Sequence, residues 1–250
     1  MGDYSISKAF SRAFKTYGKI STYAFGFSIF VLASLLLTPL VASFVNVGGG
    51  FIRFSSVVYD LTVTQLAVLA LSFFASLLFL SFFITAIIVL VKMQETLDHY
   101  GLKKVFANFQ GYMKRVFAFF LLFSLLTIAL GVVLDYYGVS RALIQLLVAL
   151  VWLAVVFSPQ IIVLEDFSLF EAVRDSMRFI KETPTALLAY VVFGFACFLV
   201  LALAETVLGS FFVWEHKLVA LVLGSMVVLP FWQVLATELY ILRYPLARHY

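Results

Sequence analysis

Six stretches of the chain, approximately 20–46, 61–93, 115–135, 141–164, 185–213 and 217–241, are almost uninterrupted in their apolar character. About 20 such residues suffice to cross the hydrocarbon core of a bilayer as a helix. A membrane strand would alternate apolar and polar positions. "FLLFSLLTIALGVVL" and "QLLVALVWLAVVF" are instead apolar on every side, so the pattern predicts six spanning helices.

The polar interruptions between these runs also carry a pattern. Placing Ile6 on Leu102 and on Leu169 superposes "ISKAFSRAFKTYGK", "LKKVFANFQGYMKR" and "LFEAVRDSMRFIKE" without gaps. Ile6, Ala9, Phe10, Ala13, Phe14 and Tyr17 fall on an i, i+3, i+4, i+7 stripe that the other two segments share, with Gln110 and Ser176 as lapses. Such a stripe predicts an amphipathic helix. Ser168 and Glu171 stand at capping-box spacing before the third stripe, where each can satisfy a free N–H of the other's turn. That helix is expected to end at Thr183, with Pro184 at the first position of the next helix. Gly18 and Gly111 occupy the comparable junctions in the other two segments.

The even spans echo one another as well. "TAIIVLV" (85–91) and "PQIIVLE" (159–165) share a core, and "PFWQ" (230–233) continues the theme. Seven more residues separate that core from the next amphipathic segment in the first unit than in the second, so the second span is expected to project about two turns past the interface. The expected architecture is therefore all-α, one membrane domain over 1–250. It comprises six spans and three amphipathic helices on one face, in repeated units of about 5–93, 101–164 and 168–241.

Composition agrees with that class and charge gives it a direction. The chain is 64% apolar and 12% charged, with a mean hydropathy of +1.10, against roughly half apolar and a quarter charged in soluble domains. Lys8, Arg12, Lys15, Lys19, Lys92, Lys103, Lys104, Lys114, Arg115, Arg174, Arg178, Lys181, Arg243 and Arg248 fall on the side of both termini, and only Arg53, Arg141 and Lys217 oppose them. By the positive-inside rule both termini are expected in the cytoplasm, in a multi-pass protein of the cell membrane. Asp60, Asp135 and Glu215 offset the three outer bases, so the surplus positive charge is assigned to the inner face. No cleavable signal is expected, because the first apolar run outlasts a signal h-region, and Ile6 breaks a myristoylation pattern.

Candidate chemistry is sparse. Cys197 lies alone in an apolar run, and His99, His216 and His249 are scattered over separate connections. Phosphate-loop, zinc-protease and nucleophile-elbow motifs are missing, and Gly48-Gly49-Gly50 reads as a loop. The expectation is a protein that is not an enzyme and takes no cofactor or metal. Glu205 is read as the one ionisable residue deep within a span, nine residues before Trp214 and so about 13 Å below the outer interface. A carboxylate there is a functional candidate by default, against a structural reading as a protonated or hydrogen-bonded group. Gln160 and Gln233 join it as a candidate intramembrane polar site; with Gln65 and Gln145 they otherwise serve as interhelical hydrogen-bonding groups. Pro39, Pro159 and Pro230 interrupt spans, which can line a transport site but more often marks packing.

"FSPQIIVLEDFSLFEAVRDSMRFIK" and "PFWQVLATELYILRY" resemble segments of a loose group of six-span bacterial and archaeal proteins related to the membrane domain attached to some glycerophosphodiester phosphodiesterases. The resemblance implies the layout above and no catalytic residue, since the chemistry of that family resides in a separate soluble domain. The expected role is binding or organising lipid, or a partner protein, at the inner leaflet. Lys8, Arg12, Lys15, Lys103, Lys104, Arg174 and Arg178 are the candidate headgroup contacts, with anionic lipid as the nearer partner and nucleic acid excluded. The competing expectation is a transporter or channel using Glu205 and the Pro-broken spans.

Overall fold

The structure, a computed structural model, describes residues 5–37, 44–47, 50–53, 63–96, 102–209 and 221–245. Pro39, His99, Trp214, His216 and His249 lie outside the described residues, as do the side chains of Gln65, Lys103 and Lys104. The described chain is helical apart from one short hairpin. Its helices are α1 (Ile6–Leu37), α2 (Val63–Thr96), α3 (Leu102–Tyr136), α4 (Arg141–Ala154), α5 (Ser158–Leu164), α6 (Leu169–Glu182) and α7 (Pro184–Gly209). A last helical stretch, Leu221–Arg243, contains a π-helical turn at Gly224–Val228 and ends in α8 (Leu229–Arg243). Five helical stretches are long and apolar enough to cross a membrane: Ala70–Thr96, Phe109–Tyr136, Arg141–Leu164, Pro184–Val207 and Leu221–Arg243.

Burial separates these stretches into a centre and a periphery. Of the most apolar window of α2, 72% is buried inside the bundle, against 11% for α7. The centre is built where α2, α5 and α8 meet. Thr85–Val91, every residue of α5, and Gln233–Ile241 are buried there, so the echoing sequences of the even spans pack side by side. Around them α1 lies against α2 and α8, α3 against α2 and α4, and α7 against α8. Small side chains let α1 approach: Ala9, Ala13, Ala24, Ser28 and Ser34 line its buried stripe. Ser34 and Ser76 exchange hydroxyl and carbonyl hydrogen bonds at 2.9–3.1 Å between α1 and α2, a contact that close backbones favour in apolar surroundings.

Several boundaries differ from the sequence expectation. α1 runs unbroken through Gly18, and α3 through Gly111; of the three amphipathic segments only 169–182 is a separate helix. One glycine costs a helix only about 1 kcal/mol, whereas Pro184 lacks an N–H and restricts Thr183, so the ladder stops there. At 32 and 35 residues, α1 and α3 are about 48 and 52 Å long, well beyond a bilayer core. The first apolar run also does not stay helical to 46, because Phe44–Val47 pairs antiparallel with Gly50–Arg53. Gly48-Gly49, between Val47 and Gly50, is a two-residue hairpin signal that the apolar run obscured. The fourth stretch is interrupted at 155–157, before Pro159.

Candidate functional site

α8 is buried on all sides from Val234 to Ile241, and its one carboxylate, Glu238, is buried with it. Its partners come from α1, where Arg12 and Thr16 stand one turn apart on the same face. Thr16 Oγ1 donates to Glu238 Oε1 at 2.7 Å, and Arg12 Nε lies 3.0 Å from Oε2. That second contact is an ion pair without hydrogen-bond alignment, since Oε2 has no hydrogen-bond partner among the described residues. The other arm of the guanidinium donates to Glu95 Oε2, near the end of α2, at 2.8 Å. One cation thus bridges two carboxylates and ties α1, α2 and α8 together. The sequence pattern did not single out Glu238, which lies three residues before the end of the expected span 217–241. The signal was present: Glu238 is flanked by apolar residues at every helical neighbour position in "QVLATELYIL".

A second polar cluster lies at the interrupted fourth span. Pro159 has no N–H to offer, and the carbonyl of Val155 accepts instead from Ser158 at 3.0 Å in a tighter turn. Gln160 reaches Gln233 across the bundle at 3.3 Å. With its amide turned over, the Gln160 nitrogen donates to the carbonyls of Phe157 and Val156 at 3.2 and 3.3 Å, which is the orientation that satisfies more of the broken turn. Trp152 Nε1 is buried nearby without a hydrogen-bond partner among the described residues. The void next to Trp152, Pro159 and Gln233 holds about 10 Å³, room for one water at most. Glu205 is elsewhere. It is half-buried on α7, the most peripheral of the spanning helices, and the structure does not bring it together with Gln160 and Gln233.

At the end of the bundle where α5 meets α6, cations hold backbone. Lys92 Nζ donates to the carbonyls of Val163 and Leu164, the last of α5, and lies 5.0 Å from the centre of the Tyr112 ring. Arg115 donates to the carbonyls of Asp166 and Phe167 at 3.0 and 3.1 Å and pairs with the Asp166 carboxylate. Asp166 has φ 60°, a left-handed backbone that Asp tolerates better than most residues. Arg115 pins that turn from three sides. Cations at a helix C-terminus also oppose its negative dipole end.

α6 begins as the sequence indicates. The Glu171 carboxylate accepts from Ser168 Oγ at 2.6 Å and from Ser168 N–H at 2.9 Å, and these bonds hold the Glu171 pKa below its ordinary value. At the other end Glu182 accepts from Tyr244 and Arg243 at 2.9 and 3.3 Å, which likewise lowers its pKa.

Of the candidate headgroup contacts, Lys8, Lys15, Arg174 and Arg178 are exposed. Arg12 is committed to Glu95 and Glu238, and Arg178 lies 4.0 and 3.9 Å from Asp175 and Glu182. Among the described residues no group of three or more His, Cys, Asp or Glu is arranged to hold a metal ion. No protein-family model, curated protein or solved structure matches the chain. The resemblance to phosphodiesterase-linked membrane domains therefore rests on the quoted segments alone. What the fold defines is a class: a helical protein with five helices suited to a membrane, clamped at one end by a buried ionic network.

Proposed function

We propose that this chain is a six-span membrane protein that binds and organises lipid, without catalysing a reaction, at the inner leaflet. The observation that carries the reading is the outward side of α1 and α6. Phe14 and Phe170 are 64% and 77% exposed, and Met177 is 41% exposed, beside the exposed bases Lys8, Lys15, Arg174 and Lys181. Large apolar groups interleaved with exposed cations suit the boundary between headgroups and acyl chains. In this reading the apolar part of α1 is the sixth span and both termini are cytoplasmic. The side-by-side packing of 85–91 and 159–165 supports three repeated units around a shared centre. The six-span relatives of phosphodiesterase membrane domains remain the proposed kin.

The competing transporter reading has less support. It requires a wet path, whereas Glu205 sits at the periphery and the space beside Gln233 amounts to about 10 Å³.

The test is native mass spectrometry with an equimolar pool of phosphatidylglycerol and phosphatidylcholine. The wild-type chain is expected to retain the anionic lipid preferentially. Lys8→Gln, Lys15→Gln, Lys103→Gln and Lys104→Gln together should erase the preference, each base contributing about 1 kcal/mol near an anionic surface. Equal retention of both lipids by the wild type would refute the reading.

A further inference from the structure

A cleft of about 200 Å³ opens where the α5–α6 turn, α6 and the end of α8 converge, lined by Glu165, Phe167, Asp175, Arg178, Tyr240 and Tyr244. It is too small for a drug-sized ligand and of the right order for a small headgroup. Its wall carries two carboxylates, one guanidinium and three aromatic rings. The Glu165 carboxylate has no hydrogen bond or ion pair among the described residues, and the Asp175 carboxylate meets only Arg178, at 4.0 Å. Tyr240 is only 4% exposed, yet its hydroxyl has no hydrogen-bond partner among the described residues. That hydroxyl belongs to the cleft wall and feels the charges of both Glu165 and Asp175. A hydroxyl without a protein partner, in the wall of a cleft that also holds two carboxylates, points to a ligand that donates hydrogen bonds.

We infer that the cleft binds a primary ammonium group, with Glu165, Asp175 and the Tyr240 hydroxyl as its acceptors. A primary ammonium carries three N–H donors, and two carboxylates and one hydroxyl match that number. The rings of Phe167 and Tyr244 complete the wall with faces that attract a cation. The rings of Tyr240 and Tyr244 are 5.1 Å apart, and Tyr244 is anchored by its bond to Glu182, so the wall is held before a ligand arrives. Arg178 borders the same cleft, where the phosphate of a phosphoethanolamine headgroup would meet it. A trimethylated ammonium has no N–H and would leave all three acceptors unpaired, the kind of mismatch that a hydrogen-bonding site rejects strongly. The ammonium comes either from a lipid headgroup or from a soluble amine. Only the headgroup source rests on the lipid-binding reading above.

Two arms separate these sources, both on the full chain. In the first, thermal unfolding in detergent is followed against ethanolammonium chloride and, at matched ionic strength, tetramethylammonium chloride. In the second, native mass spectrometry measures retention from equal amounts of phosphatidylethanolamine and phosphatidylcholine. Ethanolammonium is expected to raise the midpoint saturably where tetramethylammonium does not. Phosphatidylethanolamine should be retained roughly tenfold better than phosphatidylcholine, on the scale of one charge-assisted hydrogen bond. Glu165→Gln with Asp175→Asn should abolish both effects and Tyr240→Phe should weaken them, while Glu171→Gln, which removes one carboxylate of α6 outside the cleft, leaves them intact. A response to ethanolammonium without a lipid preference supports the cleft and assigns it a soluble amine. The inference is overturned if the wild type discriminates in neither arm, or if the Glu165→Gln/Asp175→Asn variant discriminates as the wild type does. Because phosphatidylglycerol retention is measured separately, failure of the cleft and failure of the basic-helix reading are told apart.

Discussion

Replacing Arg12 by Met keeps most of the apolar stem and removes the one cation between Glu95 and Glu238. The Glu238 carboxylate would then be fully buried with Thr16 as its remaining partner. Removing one member of a buried pair costs about 3–5 kcal/mol, chiefly because the other charge is stranded. Arg12 is itself 32% exposed, so water already screens part of the interaction, and roughly 2–3 kcal/mol is the better figure. Adding Glu238→Gln removes the stranded charge and keeps an acceptor for the Thr16 hydroxyl. The double variant should therefore recover to within about 1 kcal/mol of the wild type, a coupling of the size expected for residues in one network. Reversible unfolding in mixed micelles across the double-mutant cycle measures this. The reasoning fails if Arg12→Met alone is neutral within about 0.5 kcal/mol, or if the double variant is no better than the single. The same cycle decides whether Arg12 serves the fold or a headgroup: a headgroup contact would lower anionic-lipid retention and leave stability unchanged.

Gly194→Ala should loosen α7, since a Cβ there would lie 2.3 Å from the Trp232 ring, which stacks on Tyr190 and donates to its carbonyl; overpacking of about 1–3 kcal/mol should appear as a lower unfolding midpoint with altered Trp fluorescence, and an unchanged midpoint would contradict this packing. Topology is checked in a Cys197→Ser background: a Cys at Tyr137 should react with an impermeant thiol reagent from outside and a Cys at Lys181 only after permeabilisation, the reverse pattern excluding the proposed orientation. Ser168→Ala should cost about 1 kcal/mol of α6 stability as lost N-caps do, read as faster hydrogen exchange over residues 169–182. Because the Glu171 pKa is depressed in the folded state, its contribution is present above the ordinary carboxylate value of 4.5 and lost as pH falls through the lower folded value; α6 protection that did not decline on acidification would count against the cap.

The features legible in the sequence were those decided within one or two helical turns. An apolar run of sufficient length excludes solvation on every side, so the helical membrane-suited stretches follow from composition alone. Ser168, Glu171, Thr183 and Pro184 set the limits of α6 because capping and the missing proline N–H are local effects, and each boundary falls where those residues put it. Continuity through Gly18 and Gly111 was less legible: a glycine lowers helix propensity only slightly, and the rest of the ladder outweighs it. The partner of a buried charge was not legible at all. Arg12 and Glu238 are separated by more than two hundred positions in the sequence, and nothing near Arg12 distinguishes it from Lys8 or Lys15. Only the approach of α1 to α8 removes water from Glu238, and with water gone the carboxylate draws the guanidinium of Arg12 out of the exposed set. The same holds for Glu205, which local sequence marks as deep and tertiary packing leaves half-buried on the most peripheral spanning helix, and for Tyr240, which shares a cleft with Glu165 and Asp175 only because α8 ends beside the α5–α6 turn. Sequence determined which segments avoid water; tertiary packing decided which polar groups must find each other once water is excluded.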